Sequence, residues 1–178
     1  MKMKFLFLMA MLVALSTSPM FAGSITTDGS WYEFLFNGPG SFAGACGGCV
    51  PTVNPVADQT VDAPWTFSGA VTLHVLDLFA STDRFDVFDN NVLVGSTSAP
   101  TVGGTCDNNI GCALLDSRYS FGSFNLAAGN HSITIQQTAG TSGAGALSAD
   151  AAVPEPASMV LLGCGLLGLG IARRYRKA

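Results

Sequence analysis

Between Trp31 and Gln137 apolar residues recur with a period of two, which predicts strands rather than helices. Trp31 to Phe36 is a compact apolar and aromatic run around Glu33. In Phe67 to Phe79, Val71, Leu73 and Val75 fall on one face and Thr72 and His74 on the other. Arg84 to Ser98 reads as a hairpin. Phe85 and Val87 alternate with Asp86, and Asp89-Asn90-Asn91 supplies the turn because asparagine tolerates a positive φ. Tyr119 to Phe124 is a further strand. Ala127 to Asn130 turns the chain into His131 to Gln137, with Ile133 and Ile135 on one side and Ser132, Thr134 and Gln136 on the other. The stretches 38–64 and 99–116 are rich in turn-forming residues, and no ten-residue amphipathic helix or internal repeat is visible. Short strands between such loops predict an all-β fold, a single β-sandwich or jelly-roll-like domain over residues 23–137. Thr138 to Ala152 is small, polar and rich in glycine and alanine. It reads as a flexible linker, with a final edge strand as the alternative for part of it.

Two apolar runs at the ends break this pattern. Near the N-terminus, Lys2 and Lys4 precede the run Phe5 to Leu15, and Ala22 supplies a small residue before Gly23. This is the order of a secretory signal peptide over residues 1–22, and the run is short for a bilayer span. Near the C-terminus, Val153-Pro154-Glu155-Pro156-Ala157-Ser158 is held extended by its prolines. The uncharged stretch Ala157 to Ala172 follows. As a helix it would span about 24 Å against a hydrocarbon core of about 30 Å, a shortfall that snorkelling arginines cover. The basic cluster Arg173, Arg174, Arg176 and Lys177 then acts as a membrane stop and holds the end cytoplasmic. The expected architecture is therefore an exported domain between a signal peptide and a C-terminal transmembrane helix.

In its order of proline motif, Gly/Leu-rich span and arginine cluster, the tail 153–178 resembles the PEP-CTERM sorting signal of Gram-negative bacteria. The same tail type also goes by the name of an ice-binding protein C-terminal region, although nothing in these residues points to ice. The resemblance implies recognition of Val153, Pro154, Glu155 and Pro156 by an exosortase, a membrane cysteine transpeptidase, with removal of the tail. It also implies a link to extracellular polysaccharide and biofilm matrix. A permanent single-pass anchor is the alternative reading of the same residues. The hairpin 85–95 and the stretch 124–135 resemble segments of exported β-sandwich domains in tagged proteins.

Charge sharpens the picture. Between Gly23 and Val153 only Arg84 and Arg118 are basic, against eleven acidic residues, a formal charge of about −9. Such a surface repels phosphate backbones, so nucleic acid is excluded as a partner. Asp77, Asp83, Asp86 and Asp89, with Asn90, form the acidic set suited to calcium. The set lacks an EF-hand loop. Its plain reading is solvated hairpin charge with Arg84 paired locally, so no cofactor is expected and calcium is the alternative. Cys46, Cys49, Cys106 and Cys112 are an even set in an oxidising compartment and predict disulfides. Three pairings are open. Crossed pairs would close loops of roughly 55–65 residues, worth about 4 kcal/mol. A zinc site is the weaker alternative, because Cys106 and Cys112 are too widely spaced for a usual ligand pair.

His74 and His131 lie in no recognisable metal or nucleophile motif, and no phosphate loop, HExxH or GxSxG is present. Trp31, Tyr32, Trp65 and Tyr119 suit a small sandwich core, and sugar stacking is their alternative role. The functional expectation is a non-enzymatic surface or matrix protein whose partners are the membrane and an exosortase. A carbohydrate-binding module acting on exopolysaccharide is the first alternative. A secreted hydrolase is the second, and it requires a histidine that meets a carboxylate in a cleft.

Overall fold

The computed structural model describes residues 22–46 and 61–152. Residues 1–21, Cys49, the sorting residues Val153, Pro154, Glu155 and Pro156, the predicted helix 157–172 and the basic cluster Arg173, Arg174, Arg176 and Lys177 lie outside the described residues. Among the described residues no helix is long and apolar enough to cross a membrane.

The strands are β1 (Gly23–Ser24), β2 (Asp28–Phe36), β3 (Gly44–Ala45), β4 (Trp65–Ser68), β5 (Val71–Asp77), β6 (Arg84–Asp89), β7 (Val92–Ser96), β8 (Phe121–Leu126), β9 (Asn130–Ala139) and β10 (Gly143–Ala151). One short helix, α1 (Ile110–Leu115), stands between β7 and β8. The first sheet has the order β1-β4-β9-β6-β7 and the second β3-β2-β10-β5-β8. Every pairing is antiparallel except the two-residue parallel pair of β1 with β4. The all-β expectation holds.

Alternation places the core between the sheets. Tyr32, Phe34, Phe36, Val71, Leu73, Val75 and Leu147 of the second sheet meet Trp65, Phe67, Phe85, Val87, Ile133 and Ile135 of the first. Ring centroids lie 5.7 Å apart for Phe34 and Trp65 and 5.0 Å for Phe36 and Phe85, across the sandwich. The β6–β7 hairpin turns on Asn90 and Asn91 at φ of 50° and 64°.

The second sheet's outer face is also covered. The segment carrying α1 packs Cys106, Ile110, Ala113 and Tyr119 onto Leu76 and Ala146, with Trp31 and Phe121 alongside. Asn109 caps α1, its Oδ1 accepting from Cys112 N at 3.0 Å. The Tyr119 hydroxyl accepts from Cys106 N and donates to the Phe79 carbonyl, both at 2.7 Å, which ties the covering segment down.

The flexible linker expected over 138–152 is not there. Residues 143–151 form β10, which lies inside the second sheet and pairs with β2 on one side and β5 on the other. Its small residues suit that place. A Cβ on Gly145 would sit 2.5 Å from the Phe34 ring, so bulk is excluded where the sheet is covered on both faces. The domain therefore extends to Ala151 rather than ending at Gln137.

Candidate functional site

Successive strands pass repeatedly between the sheets, and each end of the sandwich carries a polar cluster that joins two of these crossovers. At one end β5 passes to β6 and β9 passes to β10. There Asp77, Asp83 and Gln137 converge, all essentially without solvent exposure. Asp77 Oδ2 accepts from Asp83 N at 3.2 Å. Asp83 Oδ1 accepts from Thr141 N and from Gln137 Nε2, each at 2.7 Å. Gln137 Nε2 also faces the carbonyls of Ala139 at 3.1 Å and Thr141 at 2.5 Å. Asp77 Oδ1 and Gln137 Oε1 are buried and accept nothing. Burial, and then the neighbouring Asp83 charge, push the Asp77 carboxyl up to about 8. Burial also raises Asp83. Gly140, at φ +103°, lets the β9–β10 turn close onto this cluster.

At the other end His131 joins the β4–β5, β6–β7 and β8–β9 turns. Its Nδ1 meets Asp89 Oδ2 at 2.8 Å, and Nε2 meets the carbonyls of Gly69 at 2.9 Å and Ala127 at 3.0 Å. Burial lowers its pKa, but the Asp89 hydrogen bond and the carbonyls outweigh this, and the net shift is upward. Both ring nitrogens are engaged, so the imidazole is a structural clamp.

The acidic set read from the sequence is thus divided. Asp77 and Asp83 come together. Asp89 pairs with His131, and Asp86 lies on the outer face, accepting from Ser96 Oγ at 2.5 Å. Arg84, expected to pair with these carboxylates, instead donates from Nε to the Thr97 carbonyl at 3.2 Å. Gln137 carried no sequence signal as a site residue. Its parity with Ile133 and Ile135 was the available clue, since it places an amide on the core face.

A third polar group lies on the outer face of the second sheet. His74 Nε2 lies 3.2 Å from Asp150 Oδ2, and its ring stacks on Phe121 at 5.6 Å. Ser148 stands opposite His74 in register, and Glu33 lies one row along, opposite Ala146. The hydroxyl of Ser148, both carboxyl oxygens of Glu33 and His74 Nδ1 are buried without a partner. Burial raises Glu33.

Cys106 and Cys112 form a disulfide, which removes them as zinc ligands and rules out the crossed pairings. Cys46 is also disulfide-bonded, to a residue outside the described ones. Among the described residues no group of three His, Cys, Asp or Glu side chains is placed to hold a metal ion.

Tyr32, Trp65 and Tyr119 are buried, and Trp31 packs against the second cluster. Among the described residues the exposed aromatic rings are Phe42 and Phe79, and the Phe42 centroid is 6.4 Å from that of Phe88. Phe42 borders a groove of about 330 Å³ with Asp62, Asn91 and Thr134. A more open groove of about 580 Å³ runs along Ser24, Thr66, Ser68, Asn130 and Ser132.

Comparison with known families matches residues 152–177 to the PEP-CTERM protein-sorting motif. No curated protein and no solved structure matches the chain.

Proposed function

From the premise that the chain carries a PEP-CTERM protein-sorting motif, we propose that it is a non-catalytic surface or extracellular-matrix protein, exported and then sorted by an exosortase-type transpeptidase. The observation that carries this reading is where the motif begins. The β10 ladder ends at Ala151, and Ala152 N donates to the Ala70 carbonyl at 2.8 Å. The match starts on that same residue. A cut within Val153-Pro154-Glu155-Pro156 therefore removes no strand residue. The other end agrees with this. Gly23 opens the first sheet, its N donating to the carbonyls of Asp62 and Pro64 at 3.1 and 3.0 Å. Signal removal after Ala22 would leave that strand whole.

The side chains give the hydrolase reading little support. His131 has both nitrogens engaged, and Ser148, which faces His74, is fully buried, where an acyl substrate does not reach it. Intact-mass analysis tests the proposal, on protein from cells and medium of strains with and without the exosortase. The expected species begins at Gly23 and lacks the tail only where the enzyme is present. An unshortened tail in the competent strain would make the chain a permanent single-pass anchor.

A second reading, exopolysaccharide binding, draws on the exposed Phe42 ring beside a largely apolar groove that carries Asp62, Asn91 and Thr134. It predicts retention on a polysaccharide column that Phe42→Ala abolishes.

A further inference from the structure

The crossover cluster holds more oxygen than its hydrogens can satisfy. An amide nitrogen has two hydrogens, yet Gln137 Nε2 faces three acceptors: Asp83 Oδ1, the Ala139 carbonyl and the Thr141 carbonyl, at 2.5–3.1 Å. Beside it, Gln137 Oε1 and Asp77 Oδ1 are buried and accept nothing. None of the ion pairs among the described residues involves Asp77 or Asp83. Leaving such acceptors unpaired in a dry site costs about 1–3 kcal/mol each, more when charged. Two carboxyls buried together cannot both ionise without a counter-charge, and Asp77, pushed up to about 8, keeps its proton until one arrives. What would satisfy this set is a positive charge at the point where the oxygens converge.

We propose that Asp77, Asp83, Gln137 Oε1 and the carbonyls of Ala139 and Thr141 form a calcium-binding site that fastens the β5–β6 and β9–β10 crossovers together. Half a turn of the Gln137 amide exchanges nitrogen for oxygen and sets Oε1 among Asp83 Oδ1 and the carbonyls of Ala139 and Thr141, with Asp77 held alongside through its bond from Asp83 N. Two carboxylates, one side-chain amide and two backbone carbonyls are the mixed oxygen set that calcium accepts, completed by water. Magnesium requires a stricter octahedron and gives up its water reluctantly, so a set built partly on turn carbonyls favours calcium. Gly140 belongs to the same design. A Cβ there would lie 2.0 Å from Asp83 Oδ1 and 2.6 Å from the Thr82 carbonyl, within the cradle itself. The site is independent of the sorting reading, which stands whether or not calcium binds.

The test uses the purified full chain after chelator treatment, with calcium chloride as the probe. Isothermal titration should report one calcium per chain, with a dissociation constant in the range of extracellular modules, about 10⁻⁴–10⁻³ M. Saturating calcium should raise Tm by about 5–10 °C, and magnesium chloride should raise it less. Asp77→Asn and Asp83→Asn keep the side-chain shape and should lose the calcium shift. Asp86→Asn, on the outer face, should keep it. Melting scans in chelator show directly that each variant folds. A wild-type chain with neither binding heat nor a Tm shift overturns the site, as does an undiminished shift in both Asp77→Asn and Asp83→Asn.

Discussion

Single residues at the crossovers bear much of the fold's geometric demand. Gly140 combines a left-handed φ with a Cβ direction blocked by Asp83, whereas a Cβ on Gly129 would meet nothing within 4 Å. Gly140→Ala should therefore cost about 2–4 kcal/mol. Gly129→Ala should be neutral or gain about 0.5 kcal/mol. Urea midpoints at unchanged slope would check both. His131 offers a pH test. Its folded pKa is raised above the ordinary 6.5, so the stability it contributes is fully present below 6.5 and is lost as pH rises through the folded value. An NMR titration should place its midpoint above 6.5 in the wild type and lower in Asp89→Asn. The difference in stability between the two should shrink at alkaline pH. At this scale Asn90 and Asn91 were legible, because a two-residue hairpin turn demands a positive φ that asparagine tolerates. Gln137 and Glu33 were not. Parity assigns a side chain to a sheet face but does not say what covers that face.

Elements with strict alternation were legible: β2, β5, β6, β7 and β9 fall within or close to the predicted runs. Others were not: β1 and β3 were not anticipated, the run Phe67 to Phe79 divides between β4 and β5 in different sheets, and two further elements carried little signal. β10 reads Gly-Ala-Gly-Ala-Leu-Ser-Ala-Asp-Ala, a composition of low β propensity. It is a strand because its neighbours supply the ladder on both edges and their rings occupy the space its side chains leave. α1 has six residues, too few to stand alone in water. It holds through the Asn109 cap, the apolar contacts of Ile110 and Ala113, and the Cys106–Cys112 disulfide. That bridge closes a short loop, for which the chain-entropy model gives about 2 kcal/mol, half the value for the crossed pairings. Cys106→Ser with Cys112→Ser should lower stability by about that amount and leave the sandwich folded. Denaturant unfolding and far-UV circular dichroism would show both.

The topology makes the whole domain depend on its last strand. β10 pairs Ala144 to Leu147 with Tyr32 to Leu35, joining opposite ends of the domain sequence. The second sheet cannot close until the chain is essentially complete. A chain ending at residue 142 should show no cooperative melt and no near-UV circular dichroism, although it retains the domain first read from the alternation. A single exposed edge strand in the place of β10 would have tolerated that truncation with a modest loss.

The sorting motif, the β class and the polarity of most strands follow from the sequence alone. Each rests on a local property, such as the length of an apolar run, proline's backbone restriction, a cluster of cations or a period of two. Strand order, the inclusion of 143–151, the pairing of Cys106 with Cys112 and the meeting of Asp77, Asp83 and Gln137 were decided only in three dimensions. They depend on contacts between distant segments, whose free energy comes from mutual burial and shared hydrogen bonds and leaves no periodic trace in either segment by itself.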